Sequence, residues 1–250
     1  MKKKISRVLI AGTNSGCGKT TVVCSLLQAL TDRGESIASF KCGPDYIDPM
    51  FHSSIIGARS RNLDLFLLQE DTVRYLLARG SEDCRLSVIE GVMGFYDGSG
   101  MTTEASTYAL GKVTATPVIL VVNASGAAHS VLATVSGFAG LYPDSGVKGV
   151  ILNGCSPMLY PRLRELILEH FQGTVRPLGY MPKMSDCSLE SRHLGLITAQ
   201  EVTDLRGKLR RMSEQAEKSL DVEGILALAD AAGELEYTVP QLPAPVENVR

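Results

Sequence analysis

GTNSGCGKTT, Gly12 to Thr21, follows directly on the apolar run Val8-Leu9-Ile10-Ala11 and precedes Val22, Val23, Leu26, Leu27 and Leu30 at helical spacing. A β-branched run, a glycine-rich turn and a helix-period segment read as strand, loop and helix. In such a loop the glycines let backbone N–H groups turn toward phosphate oxygens, the lysine bridges the outer phosphates, and the hydroxyl reaches Mg²⁺. The usual spacing is G-x-x-x-x-G-K-[ST]. Here Gly18, Lys19 and Thr20 close that pattern, but position 13 is threonine and the leading glycine is Gly12, so the loop is one residue longer. The helix N-terminus behind it adds partial positive charge. The expected ligands are ATP and Mg²⁺, cradled by Asn14, Gly16, Cys17, Gly18, Lys19, Thr20 and Thr21. Cys17 is expected to act only through its backbone.

Composition limits what surrounds this loop. A chain of 250 residues with 44% hydrophobic content can form one large core, burying roughly three quarters of its unfolded surface. Residues 1–232 are expected to form one ATP-binding domain. The segment 233–250, GELEYTVPQLPAPVENVR, has three prolines and no periodicity, and reads as a linker or extended arm rather than a packed element. The formal net charge is -2, and beyond Lys2-Lys3-Lys4 the basic residues are interspersed with acids, which argues against a nucleic-acid partner. No apolar run approaches the ~18 residues a membrane span needs, so a cytoplasmic protein is expected. Six cysteines without a C-x-x-C pair and four histidines without H-E-x-x-H read as reduced structural thiols and no Cys/His metal site.

Continuous apolar runs at 8–11, 37–40, 86–89, 117–122, 147–152 and 175–178 alternate with helix-period segments at 22–30, 65–77, 127–138 and 163–171. Strands without in-out alternation are those covered on both faces. The order predicts an α/β fold, a mainly parallel sheet with helices on both faces and right-handed crossovers. Beyond Gly195 only helices are expected, one with the stripe Val202-Leu205-Leu209-Met212-Ala216 and a shorter one opened by Asp221. The stripe fits a core helix, with the face of a homodimer as the alternative.

Ligands on an open parallel sheet collect at the carboxyl edge. FKCGPDYIDP after the second run puts Lys41, Asp45 and Asp48 there, and VIEGVMGFYDG after the third adds Glu90 and Asp97. Gly-Pro-Asp and Asp-Gly are also ordinary turn chemistry, but an unpaired Glu90 at the end of a buried strand would be costly, and a metal would compensate it. Such a site suits phosphoryl transfer with lysines stabilising the moving charge. No residue is placed as a base for a hydroxyl acceptor, and there is no Ser/His/Asp grouping. A carboxylate acceptor needs no base; its acyl phosphate would react with ammonia to give an amide.

GTNSGCGKTT, KCGPDYIDPMFH, RNLD, VIEGVMGFYDG, PVILVVNASG, GVILNG and SRHLGL together resemble the cobyrinic acid a,c-diamide synthase family, amidoligases related to dethiobiotin synthetase, over residues 8–201. The resemblance implies a dethiobiotin-synthetase-like P-loop NTPase fold and ATP-dependent amidation of the a and c acetates of a cobyrinate-type tetrapyrrole, with ammonia from glutamine. By the same resemblance Thr20, Asp45 and Glu90 would hold Mg²⁺ beside Lys19. Lys41 would lie over the transferring phosphoryl group, Asp48 and Asp97 on the substrate or ammonia side, and Asn153 against the adenine edge. Arg192 and His193 would touch substrate or form a closing turn.

Two features depart from the family pattern. Members carry a glutaminase domain with a nucleophilic cysteine, whereas this sequence stops at ENVR, where that domain would begin, and places no cysteine at a strand-to-helix elbow. A separate domain, a subunit or free ammonia would then supply nitrogen. Relatives also follow the Asn153 position with arginine and a later histidine, where this chain has Gly154-Cys155-Ser156-Pro157. The alternatives are a nickel-sirohydrochlorin a,c-diamide synthase, a dethiobiotin-synthetase-like carboxylase, and a ParA- or MinD-like ATPase switch. Such switches carry an extra lysine near the start of the loop, and Gly12-Thr13-Asn14-Ser15 has none.

Overall fold

The computed structural model describes residues 1–187 and 199–240. A short strand β1 (Lys2–Lys4) precedes β2 (Arg7–Gly12), which runs through the glycine-rich loop into α1 (Lys19–Asp32). Then come β3 (Ile37–Cys42), α2 (Ile47–Phe51) with a π-helical turn His52–Ile56, β4 (Arg59–Leu63), α3 (Glu70–Gly80) and β5 (Leu86–Glu90). The second half holds α4 (Thr107–Val113), β6 (Val118–Asn123), α5 (Ser130–Gly140), β7 (Val147–Asn153), α6 (Tyr160–Phe171) and β8 (Arg176–Met181). A 3₁₀ turn (Ser185–Cys187), α7 (Ala199–Ser219), α8 (Val222–Asp230) and β9 (Glu234–Glu236) close the described chain.

Seven of these strands form one parallel sheet in the order β4-β3-β5-β2-β6-β7-β8. Its central strands read as unbroken apolar runs because alternate side chains enter two separate cores. Val8, Ile10, Val88, Ile119 and Val121 face one, built with α1, α7 and α8. Leu9, Ala11, Ile89, Leu120 and Val122 face the other, built with α3, α4, α5 and α6. Every buried side chain removed from water on either face adds about 1.5–3 kcal/mol for a Val, Leu, Ile or Phe. Leu209, Met212 and Ala216 of α7 are buried in the core they share with α1, so the stripe on this helix is a core face.

Several elements differ from the sequence expectation. The run Leu65-Phe66-Leu67-Leu68 is not helical: Asp64 Oδ1 accepts the Phe66 N–H at 2.8 Å, an Asx turn that competes with helix. The helix starts instead at Glu70, with Glu70 and Asp71 in its first turn. Strand β4 escaped notice because it is the polar edge of the sheet, with Arg59 and Arg61 exposed. The sequence reading also passed over α4, seven residues long, with Ser106 Oγ accepting the Ala109 N–H at its N-cap.

The stretch after Gly233 begins as a packed element and not as a free arm. β9 pairs antiparallel with β1, Leu235 is buried in the second core, and the buried Arg7 donates to the Gly233 carbonyl. Replacing Leu235 by Ala is expected to lower unfolding stability in urea by about 2–5 kcal/mol, the cost of a truncated core leucine. A change under about 0.5 kcal/mol, typical of surface positions, would show that the strand is loosely attached.

Candidate functional site

The loop between β2 and α1 is fixed by backbone contacts that leave little room for side chains. A Cβ on Gly12 would lie 2.4 Å from Cys17 Sγ and 2.7 Å from Lys19 Cγ. Gly16 and Gly18 adopt φ of 79° and 100°, the left-handed region that glycine enters without steric cost. Gly18 is the N-cap of α1 and offers no side-chain acceptor to the helix, so the first-turn N–H groups are available to an anion. Thr13 N–H donates to the Val121 carbonyl at 3.2 Å, tying the loop to β6. Asn14 is exposed, with its side-chain amide turned to the Ser15 carbonyl; Thr21 lies in the first turn of α1, where its carbonyl accepts the Ser25 hydroxyl. Cys17 is buried with its sulfur in the first core, and its carbonyl accepts from Asn153 Nδ2 at 3.0 Å. Asn153, at the end of β7, thus braces the loop from the side of Gly18.

Lys19 is buried, with its ammonium on the carbonyls of Asn14 and Met93. Burial is the main influence lowering its pKa; Lys41 acts in the same direction, while Cys17, Glu90 and Asp97 oppose it. The loop that carries Met93 is stitched to the phosphate loop: Gly91 N–H donates to the Ile10 carbonyl at 2.9 Å and Phe95 N–H to the Gly12 carbonyl at 2.8 Å. Asp97 lies at the exposed end of that loop, where Oδ2 accepts the Gly94 N–H at 3.0 Å.

The acidic centre follows from strand register. Lys41 and Glu90 are direct partners across β3 and β5, so both side chains emerge on the α1 side of the sheet. Glu90 is fully buried; Oε1 accepts the Thr20 hydroxyl at 2.8 Å and lies 3.1 Å from Lys41 Nζ. Asp48, in the first turn of α2, meets the same ammonium at 2.6 Å. Burial works against the Lys41 charge, but the carboxylates of Glu90 and Asp48 outweigh it and raise its pKa. The charge at Glu90, expected to need a metal, is therefore met by Lys41. Asp45 faces a different task, with Oδ1 accepting the Ile47 N–H at 2.8 Å at the start of α2.

Beneath this pair lies a residue that the sequence reading passed over. His52 is fully buried, with Nδ1 2.9 Å from Ser39 Oγ and Nε2 3.6 Å from Glu90 Oε2. Burial lowers its pKa first of all; the charges of Glu90 and Asp48 pull the other way. Its only sequence signal was its place four residues after Asp48. Asn62 was also missed: its amide donates to the carbonyls of Gly43 and Asp45 and fixes the turn between them. Arg192 and His193 lie outside the described residues.

No helix among the described residues is long and apolar enough to cross a membrane. Nor does any group of three His, Cys, Asp or Glu side chains there suffice to hold a metal ion. Mg²⁺ is commonly bound by one or two carboxylates together with substrate phosphates and water. Thr20 Oγ1 and Glu90 Oε1 lie 2.8 Å apart at the phosphate cradle, a hydroxyl and a carboxylate of the kind that meet Mg²⁺ beside nucleotide phosphates. A nucleotide with its metal fits these residues.

These features define a P-loop nucleotide-binding domain, and the chain belongs to the family of the CobQ/CobB/MinD/ParA nucleotide binding domain, whose model matches residues 8–197. Among curated proteins it is 45% identical over 219 residues to a cobyrinate a,c-diamide synthase of Clostridium acetobutylicum, covering 88% of this chain and 50% of that protein. A second, from Thermoplasma volcanium, is 42% identical over 233 residues, covering 93% and 50%. A third, from Priestia megaterium, is 37% identical over 243 residues, covering 95% and 52%. The chain spans about half the length of these relatives. In fold it is similar to chloroplast FtsY of Physcomitrella patens, with a TM-score of 0.51 and 13% identity over 83% of this chain and 66% of that one. FtsY of Elizabethkingia anophelis gives 0.50 and 13% over 84% and 66%.

Gly18→Ala tests the cradle. An added Cβ would lie 2.0 Å from Asn153 Nδ2, and the left-handed backbone costs a non-glycine residue about 1–2 kcal/mol. ADP affinity measured by calorimetry should fall at least about tenfold, and Gly18→Ala/Asn153→Ala should recover only part of it, because the backbone cost remains.

Proposed function

We propose that this chain is the ATP-dependent synthetase part of a cobyrinate a,c-diamide synthase, amidating the a and c acetate carboxylates of cobyrinate or a close tetrapyrrole. The observation that carries this reading is the chain of contacts Thr20–Glu90–Lys41–Asp48 at the mouth of the phosphate loop. A hydroxyl, a carboxylate and a cation side by side next to this loop support the reading, because the outer phosphates of a nucleotide and their metal call for these groups. The named relatives supply the substrate.

The loop N–H groups and Lys19 hold the β- and γ-phosphates of ATP. Mg²⁺ held by Thr20 and Glu90, with Asp45 completing its shell, would neutralise charge on the phosphates. Lys41, kept protonated by its two carboxylates, stabilises the γ-phosphoryl group as the oxygen of a substrate carboxylate attacks phosphorus and ADP leaves. The acyl phosphate then loses phosphate to ammonia, and the nitrogen gives up a proton. Asp48 and Asp97 are the carboxylates on the acceptor side that can orient ammonia and take that proton. Asn153 keeps the loop closed against Gly18 beside the adenine edge. Because the acceptor is already an anion, no residue is needed to activate it.

Ammonia would come from glutamine through a glutaminase domain or subunit. ATP and glutamine both belong to the cytoplasm, which is the compartment proposed for the enzyme.

ADP release with ammonium and either cobyrinate, nickel-sirohydrochlorin or diaminononanoate tests the substrate. Cobyrinate is expected to stimulate turnover and yield the diamide. Stimulation by nickel-sirohydrochlorin alone would shift the tetrapyrrole, stimulation by diaminononanoate alone would indicate the carboxylase, and none by all three would favour an ATPase switch. Glu90→Gln should lower Mg²⁺-dependent turnover about 10²–10³-fold, several kcal/mol of lost charge stabilisation, with folding intact by circular dichroism. Unchanged turnover would remove Glu90 from the metal.

A further inference from the structure

Four residues form an interlocked pair of pairs behind the phosphate loop. Lys41 and Glu90 oppose each other on β3 and β5. Asp48 and His52, four residues apart along α2 and its π-helical extension, reach down onto them, Asp48 to Lys41 and His52 to Glu90. Positions i and i+4 share one helix face, so a single short segment grips both members of the strand pair. Single π-helical turns are frequent at functional sites. This one is capped by Gly57 at φ 87°, and the Ala58 N–H returns to the His52 carbonyl at 3.0 Å.

The hydrogen-bond inventory around His52 decides its tautomer. A carboxylate only accepts, and a neutral imidazole has one donor nitrogen and one acceptor nitrogen. If Nε2 lacked its hydrogen, its lone pair would face the Glu90 Oε2 lone pairs in a site closed to water. A hydrogen on Nε2 removes that repulsion and points between Glu90 Oε2 at 3.6 Å and Cys24 Sγ at 3.8 Å. The Ser39 hydroxyl then donates to Nδ1 at 2.9 Å. Burial and the nearby carboxylates raise the Cys24 thiol well above its ordinary pKa, so it presents a neutral, weakly accepting sulfur. Of the two carboxylate oxygens, Oε1 meets Thr20 and Lys41, while Oε2 has no hydrogen-bond partner among the described residues and lies 3.6 Å from the imidazole.

We infer that His52 is a positioning residue for Glu90: its imidazole, anchored by Ser39 and packed 3.6 Å behind the inner oxygen, limits the rotation of the carboxylate so that the outer oxygen, shared with Thr20, faces the nucleotide's metal. The inference rests on the reading that Glu90 serves nucleotide-bound Mg²⁺. Lys41 supplies charge to this carboxylate and His52 supplies direction. Partners behind a metal-binding carboxylate typically account for 10–100-fold in metal affinity.

The test reads ligand binding rather than amidation, so it does not depend on which carboxylate is the acceptor. ADP affinity of the full chain is measured by calorimetry with and without Mg²⁺, for wild type, Glu90→Gln, His52→Leu, His52→Gln and His52→Asn. His52→Leu should raise the Mg²⁺ concentration that half-saturates ADP binding about 10–100-fold while leaving metal-free ADP affinity unchanged. A glutamine amide reaches the place of Nε2 and should restore most of the response. Asparagine reaches only the place of Nδ1 and should not, and this contrast still decides the matter if His52→Leu fails to fold. In the metal-free wild type, ¹⁵N shifts should show the Nε2–H tautomer. Loss of the Mg²⁺ response in Glu90→Gln alone, with all His52 variants like wild type, or an Nδ1–H tautomer, would overturn the inference. An intact response in Glu90→Gln would instead overturn the metal reading beneath it.

Discussion

A fully buried carboxylate, Glu90, sits at the carboxyl end of β5, and the candidate site is arranged around its two oxygens. Moving an isolated carboxylate into such a place costs several kcal/mol even after the protein relaxes. Lys41 and the Thr20 hydroxyl meet one oxygen, and the His52 imidazole stands behind the other. Each of these contacts comes from a different element: β3, the first turn of α1, and the π-helical turn after α2. Three separate segments thus converge on one buried carboxylate, with Lys41 supplying the opposite charge.

The phosphate cradle is also joined to the loop that follows β5. Lys19 rests on the Met93 carbonyl, and the loop from Gly91 to Asp97 hangs from the phosphate loop through the Ile10 and Gly12 carbonyls. A nucleotide that draws the Lys19 ammonium onto its phosphates would act on the segment carrying Asp97. Met93 itself has φ 48°, an unusual conformation for a residue with a side chain, and it is held there by a backbone that is tied down on both sides. The loop is part of the site's frame and not a surface appendage.

The family description groups synthetases with ATPase switches, and 13% identity to FtsY speaks only to the fold. What separates these activities is the content of the carboxyl edge. In this chain that edge holds Asp48 and Glu90 on Lys41, with a second buried lysine, Lys19, in the phosphate loop.

The amino-acid sequence by itself determined the phosphate loop, the parallel sheet and the edge at which acids gather, because each is written in local spacing: glycines before Lys19, unbroken apolar runs, and turn residues after them. It also named Lys41, Asp48 and Glu90 individually. Only the tertiary structure decided that Lys41 and Glu90 are partners across β3 and β5, that Asn153 braces Cys17, and that His52 and Asn62 belong to the site. The apolar run at Leu65 read as helix and the tail at Leu235 as free for a related reason, since an Asx turn in one case and a distant strand partner in the other overrode the local pattern. Register, burial and pairing between residues dozens of positions apart arise from how strands stack and helices cross, and no window of sequence contains both halves of such a contact.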